Sequence, residues 1–396
     1  MVDSATQIPG EESTFFLDNF QPSSCELGLI FVGHKDVGER SGLYLVADGE
    51  IFTLVNEDTL IQGVGGTLEN INPATCDRGR VAFGAKSSLN GQGGVYEWED
   101  GAVRVLADIS TLLPGTSHPV AGLGSPSVSG ATTSFRGLEA VVSVESLFVA
   151  DGDSFQEIAD TLLIPPGQAS PFSTLTAADN ALEVVFRGIF PGFTSGVYAW
   201  SDAGLRVVAD YSTPILDRPG VYLRGFGVPR TSGEGIAFVA ATTEEGQGIY
   251  VASSEGVRTL IPHLAPLPGG GALAEVSRLD IHDDTIAFTG YGLGEFRPRL
   301  LLWREGQLEQ VLAQGDVLDG QAILNFNFSL EYSRLAVWVL FEDSSAAIYS
   351  VNVGNDGQAP AIPALGVMGY FLLAAALALI SLAFLRSSGA WHGLSG

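Results

Sequence analysis

The chain has 396 residues with 45 acidic against 19 basic side chains, a formal net charge of −26, 50 Gly and 19 Pro. Phosphate binding requires clustered Lys and Arg, so this balance excludes a nucleic-acid partner, and two cysteines are too few for a disulfide-built scaffold. Short β-branched and aromatic runs between Gly, Pro, Asp and Ser clusters predict an all-β chain, long enough for one large domain or two or three ordinary ones.

The opening residues, Val2-Asp3-Ser4-Ala5-Thr6-Gln7-Ile8-Pro9-Gly10, line up without a gap on Ala107-Asp108-Ile109-Ser110-Thr111-Leu112-Leu113-Pro114-Gly115. That second stretch closes the cleanest copy of a recurring unit, Gly79 to Gly115. The unit runs Arg80-Val81-Ala82-Phe83, a loop, Gly94-Val95-Tyr96-Glu97-Trp98, a turn at Asp100-Gly101, then Val103 to Asp108. Its Phe-bearing strand recurs at Phe31, Phe83, Phe186, Phe238 and Phe288. Weaker copies are placed at Val142 and Val337, for successive spacings of 52, 59, 44, 52, 50 and 49 residues.

A second strand follows each, as in Gly42-Leu43-Tyr44, Gly196-Val197-Tyr198 and Gly248-Ile249-Tyr250, and a third follows most of these. A further short run lies between units, at Phe15-Phe16-Leu17, at Phe172 to Leu175 and at Leu223 to Phe226. Four antiparallel strands in about 50 residues describe a propeller blade, a small sheet that buries its faces only against its neighbours. Seven copies predict a seven-bladed β-propeller over residues 1–353, as one domain. The last copy ends at Tyr349 to Val353 with no fourth strand, so the N-terminal strand is expected to close the ring and cover its edge. Counts of six or eight blades, or a repeat lying upstream, stay open.

Turn chemistry agrees. Asp48-Gly49, Asp100-Gly101, Asp151-Gly152 and Glu305-Gly306 fall where a tight hairpin needs positive φ. Pro9-Gly10, Pro114-Gly115, Pro166-Gly167, Pro219-Gly220 and Pro268-Gly269 are expected to end outer strands. Cys25 and Cys76 stand at matching places in adjacent repeats. They read either as a disulfide across two blades in an exported protein or as two unpaired small apolar residues.

Residues 354–363 form a polar, Pro-containing linker. From Ala364 to Leu385 no residue is charged, a span of 22 residues that suffices for a helix across an approximately 30 Å hydrocarbon layer. A transmembrane helix is therefore expected over 364–386, ending at Arg386, with a short cytoplasmic tail at 387–396. The propeller is then extracytoplasmic on a single-pass anchor. Met1-Val2-Asp3-Ser4 is no signal peptide. Either the start lies upstream or the terminal helix directs insertion, and the length of the preceding domain favours the first.

Ile362-Pro363-Ala364-Leu365-Gly366-Val367-Met368-Gly369 is similar to the Ile-Pro-Thr-Leu-Ser-Glu-Trp-Gly opening of IPTL-type C-terminal sorting signals of Gram-negative bacteria. These are relatives of the PEP-type signals handled by exosortase-family peptidases. Ile362, Pro363, Leu365, Gly369 and Arg386 carry the resemblance, while Ala364 at the motif's third place, Gly366, Val367 and Met368 depart from it and one Arg replaces a basic cluster. It implies a sorting peptidase as partner and release or surface attachment after processing. The repeats resemble those of bacterial tandem-repeat proteins with an Asn-x-x-Gly-x-x-Ala-Phe unit, closest at Cys76-Asp77-Arg78-Gly79-Arg80-Val81-Ala82-Phe83 with Cys in place of Asn. That resemblance implies a secreted, anchored protein without an assigned activity.

None of His34, His118, His263, His282 and His392 pairs at metal-ligand spacing, and no nucleophile elbow, phosphate loop or dinucleotide fingerprint occurs. No catalytic residue, cofactor or metal is expected. Asp280-Ile281-His282-Asp283-Asp284 reads as a polar turn before a strand rather than a cation site. Asp3, Asp108, Asp160 and Asp210 recur once per blade and read as turn formers. Two functions follow: a non-catalytic surface module binding a glycan, matrix polymer or protein, or a surface hydrolase or lyase with its site at the channel.

Overall fold

The computed structural model describes residues 1–353 apart from 18–21, 36–40, 63–65, 89–90, 92, 117–119, 140–141, 177–178, 181–182, 193, 233–234 and 332–333. The linker, transmembrane and tail expectations, and the sorting-motif residues Ile362 to Arg386, lie outside the described residues. Among the described residues no helix is long and apolar enough to cross a membrane.

Antiparallel pairing gathers the described chain into seven sheets. Their inner strands are Ser23–Cys25, Ala74–Asp77, Val120–Ser129, Asp179–Asn180, Arg230–Ser232, Leu273–His282 and Gln321–Glu331. Each inner strand touches that of the next sheet, and the last touches the first, so the sheets surround a central channel. The chain is an all-β propeller. Six of the sheets are open; the fifth closes on itself as a small barrel. There Pro214–Ile215 pairs with both Gly256–Ile261 and Arg218–Arg224, and Leu223 of the latter pairs with Thr242.

The aromatic repeat has a direct structural meaning. Phe31, Phe83, Phe186 and Phe238 stand directly opposite Tyr44, Tyr96, Tyr198 and Tyr250 on the neighbouring strand, ring on ring at centroid separations of 5.6, 5.9, 5.8 and 6.2 Å. Side chains alternate across a strand, so both rings of a pair emerge on one face. That face meets the preceding sheet: Phe83 and Tyr96 pack with Ile30, Val32 and Leu43, and Phe238 and Tyr250 with Val185 and Val197. Every hydrophobic cluster is such a seam between consecutive sheets. The one holding Val2, Ile348 and Trp338 together with Phe31 and Tyr44 joins the last sheet to the first. Gly precedes each Tyr by two because the ring lies over it; a Cβ on Gly42 would come within 2.6 Å of the Tyr44 hydroxyl.

Val142 is corrected. It is 51% exposed in a turn, and the third sheet's counterpart is Phe135 on Thr132–Glu139, stacked on Phe148 at 5.6 Å. With Phe135 in place the spacings become 52, 52, 51, 52, 50 and 49 residues. The uneven 59 and 44 follow from placing this copy at Val142, a turn residue, instead of at Phe135. The run between units is corrected as well, since it is only half of the inner strand. Phe16 bridges His34, Thr174–Leu175 pairs with Ile189 and Gly188, and a separate piece nearer the hairpin completes each. Pro219-Gly220 falls inside Arg218–Arg224 rather than at an outer-strand end.

The closing strand lies as expected. Val2 and Asp3 pair with Ile348 and Ala347, so the first residues form the outermost strand of the last sheet. Asp48-Gly49, Asp100-Gly101 and Glu305-Gly306 have both residues at positive φ, as two-residue hairpins require. Asp3, Asp108 and Asp210 each accept from the backbone two residues on and from a Thr hydroxyl three on, the geometry of a turn former. Because consecutive strands alternate in direction, these hairpins share one face of the disc with Val353. The connections between sheets share the other.

Candidate functional site

In sheets one to five the inner strand is interrupted midway, in the third by a bulge, and proline is one cause. Pro22, Pro126 and Pro229 each immediately precede the first residue paired after the break, as Pro73 precedes Ala74. Proline lacks the N–H that a continuous ladder needs. In the third sheet the interruption is a bulge: Gly124 pairs with Arg136 and Ser127 with Ser134, leaving Ser125 and Pro126 out of register. Ser125 takes φ +53° there, a left-handed conformation that costs a non-glycine residue energy.

These breaks border a cavity of about 480 Å³ in the channel. Its wall differs from side to side. Sheets one to three contribute Pro22, Ser23, Asn72, Thr75, Ser125 and Ser127 among small or hydroxylated residues, whereas sheets five, six and seven contribute Arg230, Asp280 and Glu331.

The charged wall is cross-braced between sheets. The Asp280 carboxylate accepts from the Ile281 amide at 3.1 Å and, across the seam, from the Leu330 amide at 2.9 Å, with Arg230 Nε at 3.7 Å. The Glu331 carboxylate accepts from the Ser23 hydroxyl at 3.2 Å, joining seventh sheet to first. Arg278, two residues before Asp280 on the same strand, donates to Asn327 and rests over the Phe328 ring at 5.2 Å. Burial pushes its guanidinium down to about 10. Asp280 opposes that shift by favouring the charged form, and Arg230 adds to it.

On the opposite side Thr75 Oγ1 donates to the Pro126 carbonyl at 3.3 Å and accepts from the Val128 amide at 3.1 Å. Cys25 and Cys76 are disulfide-bonded with Cα atoms 5.9 Å apart, tying the inner strands of the first two sheets beside this wall. The Ser23 hydroxyl lies 3.9 Å from the Cys76 sulfur.

The polar turn expected over 280–284 is at Asp283, at φ +49°, while Asp280 is buried in the channel wall. No local motif links Arg230, Asp280 and Glu331 in the sequence. The signal available was positional: Arg230 pairs with Ala237 and Asp280 with Ala287, the residues just before Phe238 and Phe288, so both occupy one place in the repeat. Among the described residues no three His, Cys, Asp or Glu side chains form a group able to hold a metal ion.

No family model and no curated protein matches the chain. Among solved structures it is similar to the β-propeller domain of the Trilobed protease from Pyrococcus furiosus. That match has 12% identity and a TM-score of 0.55, covering 87% of this chain and 96% of that one. It is also similar to a Mycobacterium tuberculosis puromycin-hydrolyzing peptidase, at 10% identity and TM-score 0.53, covering 86% of this chain and 51% of that one. An acylaminoacyl peptidase of Pyrococcus horikoshii matches at 12% identity and TM-score 0.52, over 85% of this chain and 51% of the other. The chain thus spans about half the length of these two peptidases. At such identities the likeness shows the propeller fold and nothing of activity.

Proposed function

We propose that this chain is a seven-bladed propeller, counting the small barrel as its fifth blade, that serves as a membrane-anchored, extracytoplasmic binding module with the channel cavity as its ligand site. The state of Asp280 carries this reading. Both carboxylate oxygens are engaged by backbone amides from two sheets, and Arg230 lies alongside. A carboxylate so held braces a wall and orients a guanidinium; it is poorly placed to shuttle a proton. The apolar stretch after residue 363 supports the anchor. Val353 leaves the disc on its hairpin face, so an anchored disc turns the opposite face away from the bilayer.

The alternative, a surface hydrolase or lyase, draws on the convergence of Arg230, Asp280 and Glu331 from three sheets. Incubation with a panel of polysaccharides and peptides, followed by assay for new reducing ends, unsaturated sugars or new amines, separates the two. The binding reading expects none, and turnover abolished by Glu331→Gln would reverse it. Mass spectrometry of the mature protein from its host tests the sorting signal at Ile362, Pro363, Ala364 and Leu365: a terminus near Pro363 supports processing, and an intact chain through Gly396 rules it out.

A further inference from the structure

Resting on that binding reading, we infer that the channel cavity takes an uncharged, hydroxyl-rich saccharide segment. The wall charges set the first limit. Arg230 contributes one positive charge and Asp280 and Glu331 one negative charge each, in a chain of net charge −26. An acidic polymer would approach against the field of the whole molecule and meet a wall that is negative on balance.

The hydrogen-bonding inventory sets the second. Glu331 only accepts and Arg230 only donates; Ser23 and Thr75, whose hydroxyl protons go to Glu331 and to the Pro126 carbonyl, offer acceptor lone pairs, while Ser125 and the Asn72 amide can do both. A ligand satisfying this wall must offer donors and acceptors side by side along its length, as the hydroxyls of a sugar ring do. Shape sets the third limit. The lining holds no apolar side chain larger than proline, so nothing there would anchor the Leu or Phe of a peptide. The Pro22, Pro73 and Pro126 rings instead supply a C–H surface suited to the C–H face of a pyranose. The volume of about 480 Å³ lies within the range of about 300–1,000 Å³ usual for small-ligand sites.

The bulge adds pre-organisation. Ser125 at φ +53° is held out of the ladder by Pro126, whose carbonyl is held in turn by Thr75. The strained peptide is therefore fixed in the wall before any ligand arrives, which lowers the ordering cost of binding.

The test uses the full-length chain in a sugar-free detergent. Oligosaccharides of glucose, galactose, mannose and N-acetylglucosamine, a galacturonate tetramer and a mixed peptide library are titrated by calorimetry. At least one neutral sugar should bind, more tightly than the uronate. Arg230→Ala and Asn72→Trp should each weaken it about tenfold or more, the tryptophan by filling the cavity from an exposed position. Thermal melts confirm folding, and Arg230→Lys replaces Arg230→Ala if the latter fails to fold. Binding confined to uronate or peptide, yet lost in Asn72→Trp, would overturn the uncharged saccharide while leaving the channel as a site. Sugar binding indifferent to both variants would overturn the channel itself. Silence from every probe overturns the saccharide assignment.

Discussion

Val2 stands directly opposite Ile348, and only 1% of its surface is exposed. The first strand is therefore a packed member of the last sheet. It also covers an edge formed by Ala346–Asn352. Removing residues 1–10 should leave that edge open to pairing with other chains. Val2→Asp, which buries a charge at the seam, should cost about 2–4 kcal/mol. Urea denaturation and size-exclusion chromatography read both effects. An unchanged midpoint with a monomeric truncated chain would show that the ring closes without this strand.

The Cys25–Cys76 bond spans 51 positions of sequence. In the chain-entropy account a closed loop of this size stabilises by about 4 kcal/mol, because the crosslink restricts the unfolded chain. Reductant should lower the melting temperature of the wild type and leave Cys25→Ala/Cys76→Ala unmoved. Equal sensitivity of the two would mean the bond is not what the reductant acts on.

Glu97 has 1% side-chain exposure and accepts from Arg80, Arg104 and, at 2.6 Å, from the Thr133 hydroxyl of the next sheet. Glu97→Ala strips the counter-charge from Arg80, itself only 10% exposed, and should destabilise by about 3–5 kcal/mol. Adding Arg80→Met should recover part of that loss, because the unpaired charge goes with it. A Glu97→Ala midpoint within error of wild type would contradict the buried pairing.

Tyr44, Tyr96 and Tyr250 have phenols pushed up to about 12 from an ordinary 10, burial being the largest cause for each. A raised folded-state value favours the neutral phenol in the native protein. The associated stability is fully present below pH 10 and is lost as pH rises from about 10 to about 12. Absorbance near 295 nm should show phenolate forming later in the folded chain than in urea. Coincident titrations would place these rings in water.

A Cβ at Gly188 would lie 2.1 Å from the Phe172 ring, whereas one at Gly93 meets nothing within 4 Å. Gly188→Ala should cost about 1–3 kcal/mol through overpacking, and Gly93→Ala should be nearly neutral. Equal midpoints for the two would refute the close approach.

The repeat was legible because it is local. A Phe directly opposite a Tyr needs only a hairpin of the right length, and each sheet writes that length into its own residues. Phe135 is less legible because Phe148 stands in place of the usual Tyr, while the valine at 142, a turn residue, mimics a strand position. The match between residues 2–10 and 107–115 disclosed the closing strand, since an outer strand keeps its turn chemistry wherever it stands. The channel was harder to read. Arg230, Asp280 and Glu331 belong to separate repeats, and no local pattern says whether side chains from different sheets share a wall.

Amino-acid order alone thus determined most of the strands and hairpins and a recurrence of about 50 residues, because backbone geometry and side-chain alternation act over a few residues. Only the assembled ring decided which charges face one another, that the fifth sheet would curl into a barrel, and that Asp280 would lie in a wall rather than a turn. Those outcomes depend on how neighbouring sheets seat against each other. That seating is settled by packing across the whole disc.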